Sequence, residues 1–289
     1  MREALHTSPP ALLTRYVTGM PPVSPLKKLK RWIQRLPSVE VSEMDGVRSL
    51  HLGGDAIQSS MRIADPERLE LSYTRAMMTF LLFQAAPRDV LMVGLGGGSI
   101  ARFLHHHFAR TRITAVEINP KVIAVARQYF GLPDDERLTV VAEDGAAFVP
   151  GQAERADVLF HDAFDDGDTV STLCTQDFFD ACGAALRPNG VFVMNFMADE
   201  PHFDTYFDRL SKTFNNRLVV LPTGDRVNRI VFAIKSSITR MSIESLTREA
   251  ANLEKRYGLP MKASLKDLLR YNPHTAAYLT IAAYHWSVH

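Results

Sequence analysis

Cysteine is nearly missing from this chain, with only Cys174 and Cys182 in 289 residues. Two thiols without a C-x-x-C spacing exclude a disulfide framework, a zinc ribbon and a thioredoxin-type centre. Reduced thiols in a cytoplasmic setting are the expectation. An excess of one charge is also missing: 33 basic residues face 32 acidic ones. No global field would then draw the chain to nucleic acid or to a membrane surface, and a charged partner has to be recognised locally. No apolar run approaches the roughly 20 residues that cross a bilayer, and the N-terminus has no signal-peptide core. Neither G-x-S-x-G nor H-E-x-x-H occurs, so the commonest serine-hydrolase and metalloprotease signatures are absent. No internal repeat or low-complexity segment stands out. An ordinary globular composition remains, long enough for one domain or two at roughly 150 residues each.

Residues 1 to 35 carry seven Lys or Arg, one Glu and five Pro and end in KKLKRWIQR. They read as an irregular, solvated arm closing on a short basic helix, with a patch for RNA or lipid as the alternative. In VEVSEMDGVRSLHLGGDAIQSSMRI, residues 39 to 63, Val39, Val41, Leu50, Leu52 and Ile57 lie between turn signals at Asp45-Gly46 and Gly53-Gly54-Asp55. That pattern predicts a small antiparallel β unit. Residues 67 to 84 have helical spacing.

From Asp89 the pattern alternates. VLMVGL, ITAVEI, LTVVAED, ADVLFHD and GVFVMNF are short apolar strands, and helices are predicted near 98–109, 120–130, 175–187 and 203–213. Such alternation specifies a parallel sheet covered on both faces. RLVVLPTG and NRIVFAIK stand only three or four residues apart, too close for a parallel crossover, so they must form a hairpin. The predicted fold is a methyltransferase-like, doubly wound α/β sheet, mostly parallel with a terminal antiparallel hairpin, preceded by a small antiparallel β domain. The expected organisation is a basic arm over 1–38, the β domain and a connecting helix over 39–85, a nucleoside-binding domain over 86–240 and a helical extension over 241–289. A stop at Gly258-Leu259-Pro260 interrupts that extension.

Gly94, Gly96, Gly97 and Gly98 follow a strand and open a helix, which is the setting a nucleotide-binding turn requires. Glu117 closes the second strand, where a carboxylate can accept both ribose hydroxyls. Asp144 closes the third, where it can accept from an adenine amino group. Helix caps or solvated strand ends are the alternative for these two acids. A pyrophosphate would want free N–H groups at the helix start, whereas a sulfonium nucleoside wants an acid-rich crevice. The fourth strand ends in HDAFDDGD, with Asp162, Asp165, Asp166 and Asp168 within seven residues, and this favours an S-adenosylmethionine type of ligand over a nicotinamide.

Taken together, GLGGGS, AVEINPKVIAVAR, VVAEDGAAFV, ADVLFHDAFDDGD and LCTQDFFDACGAALRPNGVFVMNF, with Gln58 and Tyr73 ahead of the sheet, resemble the spermidine synthase family of aminopropyltransferases over roughly residues 39 to 240. The resemblance implies decarboxylated S-adenosylmethionine as co-substrate, or S-adenosylmethionine itself in a methyltransferase on the same scaffold, and no metal. It implies that Glu117 holds the ribose, that Asp144 with Gly145 holds adenine, and that Gln58 and the turn of Gly94, Gly96 and Gly97 face the nucleoside. Tyr73, Asp162 and Asp165 would meet a small-molecule amine, Asp162 as the base and Asp165 at the cationic end. A homodimer is implied as well.

Two departures stand against a diamine substrate. Family members that use putrescine usually carry an aspartate where this chain has Gly97, and a Tyr-His-Glu or Tyr-Gln-Glu run where it has Tyr73-Thr74-Arg75. Arg75 pointing inward would repel a diamine and could clamp a carboxylate; pointing outward, it would leave the acidic crevice unopposed. A methyltransferase, or a nucleoside-binding protein without turnover, therefore stays open. His105-His106-His107 sits at a helix end with side chains in different directions and predicts no metal site. His161 should face the opposite side from Asp162 and pack there, and Cys174 and Cys182 should sit two turns apart on one helix as small apolar groups.

Overall fold

VLMV, ITAVE, LTVVA, DVLFH and VFVMNF form the centre of the molecule because each is short, apolar and bounded by glycine or a polar residue. The structure is a computed structural model that describes residues 2–4, 38–165 and 168–282, with 2–4, 165 and 168 as backbone. The basic helix expected near residue 30 and the side chain of Asp165 lie outside the described residues. Strand β1 (Arg2–Ala4) pairs antiparallel with β2 (Val39–Met44), which continues into β3 (Val47–Leu52) and β4 (Ile57–Arg62) as one four-stranded antiparallel sheet. Its apolar face, Val39, Leu50 and Met61, packs on Val122, Val125 and Phe130 of the larger unit.

The helix expected over 67–84 is shorter. Helix α1 spans Ser72–Met77 and runs on as a 3-10 turn over Met78–Leu82. Pro66 and the turn closed by Arg68 N–H on the Asp65 carbonyl precede it, and the Leu69 and Glu70 carbonyls are taken by Arg75 rather than by a helix ladder.

The main sheet then alternates as predicted: β5 (Asp89–Val93), α2 (Ser99–His107), β6 (Arg112–Glu117), α3 (Pro120–Tyr129), β7 (Leu138–Ala142), α4 (Gly145–Phe148) and β8 (Ala156–His161). The minor strands β9 (Phe164–Asp165) and β10 (Asp168–Thr169) precede α5 (Gln176–Ala185), β11 (Leu186–Met197), α6 (Phe203–Thr213), β12 (Leu218–Pro222) and β13 (Asn228–Ile234). Strand order is β12-β13-β11-β8-β5-β6-β7, and β13 alone runs antiparallel to its neighbours. Five residues, 223–227, separate β12 from β13, slightly more than the sequence spacing implied.

Alternation along the strands builds two cores. Val90, Met92, Val158, Phe160, Val191 and Val193 face one side, while Leu91, Val93, Leu159, Phe192 and Met194 face the other. Phe160, fully buried, meets Phe80 edge-on at 5.3 Å, a geometry worth about 0.5–1.5 kcal/mol beyond burial. Cys174 ends a 3-10 turn, and Thr175 resets the chain to an extended conformation before α5, so the two cysteines do not share a helix; both are buried and free.

Residues 241–282 are not wholly helical. Helix α7 (Ile243–Tyr257) stops at Gly258, with φ +68, and α8 (Met261–Tyr271) follows, but β14 (Arg240–Ser242) and β15 (Tyr278–Thr280) form an antiparallel pair across them. No helix among the described residues is long and apolar enough to cross a membrane.

The buried Asn272 amide closes the exposed edge of the main sheet. Its Oδ1 accepts from Val220 N–H at 2.8 Å, and its Nδ2 donates to the carbonyls of Val220 at 2.7 Å and Leu268 at 2.8 Å. The side chain thus satisfies both backbone groups of an edge residue and pins α8 to β12. Asn272→Ala leaves those buried groups unpaired and should lower unfolding stability by about 2–4 kcal/mol, read from the urea midpoint. A loss below about 0.5 kcal/mol would contradict this role.

Candidate active site

At the centre of the sheet β6 and β7 leave β5 on one side and β8 and β11 leave on the other, so a crevice opens beyond the carboxyl ends of these strands. Gly94 follows β5 with φ +95, and a Cβ there would stand 2.2 Å from the Asp162 carbonyl oxygen. Only glycine lets these two strand ends lie side by side. The crevice deepens into a cavity of about 540 Å3 lined by Gln58, Tyr73, Gly94, Gly96, Glu117, Asp144, Gly145 and Asp162, among others.

Eight of the residues expected at the site therefore meet in one hollow. Gly97 does not line it: a Cβ there would stand 2.8 Å from Ser59 Oγ and 2.9 Å from the Phe130 ring. Its role in the fold is close packing of the small sheet against the turn, and the space an aspartate would need at this position is already filled.

Glu117 is buried. Its two carboxylate oxygens accept from Leu95 N–H at 3.1 Å and Asn119 N–H at 2.8 Å, which locks the glycine turn to the loop after β6. Burial raises its pKa, while backbone donors from Asn119, Leu95, Gly96 and Ile118 oppose the rise. Asp144 caps α4 through Ala146 N–H at 2.9 Å and also lines the cavity.

Asp162 stands one residue past β8. Its main-chain N–H donates to the Val93 carbonyl at 2.9 Å, and its Oδ1 accepts from Asn195 Nδ2 at 3.0 Å. Asn195 in turn accepts from Asn228 Nδ2 at 3.0 Å. The Tyr73 hydroxyl donates to the Gln58 carbonyl at 3.2 Å and stands beside the same carboxylate. Burial of the site pushes the Asp162 pKa up to about 6, with Asn195 and Tyr73 pulling it back. Burial and the neighbouring Asp162 charge raise Tyr73 well above its ordinary value.

Arg75 turns away. Its Nη1 donates to the Leu69 and Glu70 carbonyls at 2.8 and 2.6 Å, and it does not line the cavity. Thr74 does, but its hydroxyl donates to the Leu71 carbonyl at 2.8 Å. Among the described residues the lining holds four carboxylates, Glu117, Asp144, Asp162 and Asp225, and no Lys, Arg or His. His161 packs behind the strand against Phe178 and hydrogen-bonds to the Leu173 carbonyl at 3.1 Å, and burial lowers its pKa to about 4. His105 meets Asp135 at 2.8 Å and His107 packs on Phe103, away from the site. Among the described residues no group of three or more His, Cys, Asp or Glu could hold a metal.

Asn195, Asn228 and Asp225 escaped the sequence reading. The signal for Asn195 was a polar residue inside the apolar run GVFVMNF; Asp225 and Asn228 resembled ordinary turn residues.

The family model described as the spermine/spermidine synthase domain matches residues 70–215. The chain belongs to this family. A polyamine aminopropyltransferase from Chromobacterium violaceum is 40% identical over 256 residues, covering 88% of this chain and 98% of the relative. A spermidine synthase solved with the transition-state analogue AdoDATO superposes with a TM-score of 0.63 at 21% identity, covering 81% of this chain and 82% of that one. Human methyltransferase-like protein 13, solved with SAH, gives a TM-score of 0.60 at 29% identity over 66% of this chain and 94% of that chain. Both structures share the fold.

Asn195→Leu removes the hydrogen bond that favours the charged form of Asp162 while keeping the site dry. The Asp162 pKa, followed by carboxyl carbon NMR, should rise from about 6 by about one unit. An unchanged or lower value would contradict the assigned role of Asn195.

Proposed function

We propose that this protein is a polyamine aminopropyltransferase, moving the aminopropyl group of decarboxylated S-adenosylmethionine to a small-molecule amine in polyamine biosynthesis. The observation that carries this reading is the composition of the cavity: four carboxylates and no cationic side chain among the described residues. Both reactants are cations, and such a wall attracts both. Intact S-adenosylmethionine carries a carboxylate for which the described lining has no cationic partner. Arg75, the cation that the sequence offered for that task, is occupied by backbone carbonyls.

On the nucleoside side, Glu117 holds the ribose hydroxyls, Asp144 and Gly145 the adenine, and Gln58, Gly94 and Gly96 shape the walls, with Gly97 packed behind them. On the amine side, Tyr73 and Asp162 meet the acceptor. The amine lone pair attacks the aminopropyl carbon next to sulfur, and the C–S electron pair returns to sulfur to leave a neutral thioether. The nitrogen gives its proton to Asp162. A carboxylate with a pKa near 6 is ionised at neutral pH and more basic than an ordinary aspartate, which suits it to that transfer.

Methyl transfer is the second reading, favoured by the likeness to methyltransferase-like protein 13 and by the two departures from the diamine-using pattern, at Gly97 and in Tyr73-Thr74-Arg75. The family resemblance also supports a homodimer and a cytoplasmic setting, the latter consistent with two buried, free thiols.

Product analysis by mass spectrometry decides between the two readings. Decarboxylated S-adenosylmethionine with 1,4-diaminobutane should yield methylthioadenosine and the aminopropylated amine, whereas methylated amine from the intact cofactor would establish the second reading. The pH profile of kcat/KM should rise with pH through an acid limb near 6. His161, near 4, lies too low to produce it. In Asp162→Asn turnover should fall by about a hundredfold or more while nucleoside affinity persists; unchanged turnover would remove Asp162 from the mechanism.

A further inference from the structure

Asp225 lies in the turn between β12 and β13 and lines the cavity. Three donors fix its carboxylate. Oδ1 accepts from the Thr223 hydroxyl at 2.6 Å and from Val227 N–H at 3.2 Å, and Oδ2 accepts from the Ser72 hydroxyl at the start of α1. A carboxylate offers about four acceptor positions, so a preorganised anion with room for one more donor faces the hollow. These donors hold its pKa below the ordinary value despite partial burial.

Its place in the sheet gives this anion a direction. Along the carboxyl edge Asp144 follows β7, Glu117 ends β6, Asp162 follows β8 and Asp225 precedes β13. Glu117 and Asp144 lie on the nucleoside side of β5, and Asp225 lies on the opposite side beyond Asp162. Strands β8 and β13 are two intervals apart, roughly 10 Å laterally. That spacing suits two ammonium groups of one acceptor, one for each carboxylate. Neither departure from the diamine-using pattern supplies a carboxylate: Gly97 is packed against Ser59 and Phe130, and Thr74 and Arg75 are turned to backbone carbonyls.

We propose that Asp225 is a specificity-determining residue that holds the far ammonium of a diamine or longer polyamine acceptor while Asp162 faces the reacting nitrogen. This assignment rests on the aminopropyltransferase reading of the site. A monoamine would leave Asp225 without a ligand, so discrimination between amines is its signature.

Calorimetry with the full chain saturated with methylthioadenosine tests it, with 1,4-diaminobutane and n-butylamine as probes. The parent should prefer the diamine, and Asp225→Asn should cut that preference about tenfold by weakening diamine binding selectively. Asp225→Glu should keep the preference within about threefold and serves if the Asn variant melts early. A parent without preference, or a preference that survives in Asp225→Asn, overturns the assignment, as does its loss in Asp225→Glu. Because the readout is binding, a parent that discriminates but forms no aminopropylated product would overturn the proposed activity and leave the Asp225 assignment standing.

Discussion

One carboxylate, held half-buried at the middle of a sheet edge, organises this molecule. Asp162 reaches its position because Gly94 has no side chain to displace its carbonyl, because its own N–H completes the pairing with Val93, and because Asn195 offers it a donor. The donor is itself fixed by Asn228 from the only antiparallel strand of the main sheet. The terminal hairpin therefore contributes chemistry as well as edge closure: without β13 beside β11, Asn195 would have no partner for its carbonyl and the orientation of Asp162 would be free. Desolvation raises the basicity of the carboxylate, and two polar neighbours limit the rise.

The same edge separates two tasks. On one side of β5, Glu117 and Asp144 accept backbone N–H groups that hold their own geometry, which suits the nucleoside wall proposed above. On the other, Asp162 and Asp225 line the cavity together with Tyr73, Asn195 and Met197. The departures from the diamine-using pattern matter less than their charges imply. Arg75 is absorbed by the carbonyls of Leu69 and Glu70 and exerts no direct contact on the cavity. Gly97 is replaced in function by nothing at its own position, since Ser59 and Phe130 occupy that space. Negative charge arrives instead from the hairpin turn, through Asp225.

Much of this was legible in the sequence because it rested on periodicity. The parallel strands announce themselves as apolar runs, their ends carry Gly94, Glu117, Asp144 and Asp162, and the short link between the last two long strands forces the hairpin. What stayed hidden depends on contacts between distant segments. No local pattern says that Asn272 completes the ladder of Val220, that three-residue strands at 240–242 and 278–280 pair across two helices, or that Asn195 is turned toward Asp162. The direction of Arg75 was open for the same reason: one side chain can reach solvent, cavity or backbone, and only the exposed carbonyls left by a late-starting helix decide it. Gly97 and the cysteines show that adjacency in sequence does not make a shared surface: a close packing contact sets Gly97 apart from its neighbours, and a chain reset at Thr175 separates Cys174 from Cys182.

Among the described residues carboxylates are the only charged groups on the cavity wall, and on the proposed reading they select a sulfonium nucleoside lacking a carboxylate. The most direct test of that selection is a paired calorimetric titration of decarboxylated and intact S-adenosylmethionine at neutral pH, repeated at low and high salt. Binding of the decarboxylated compound should be tighter by about tenfold or more, with the gap narrowing as salt rises. Equal affinities, or tighter binding of the intact compound, would contradict the account.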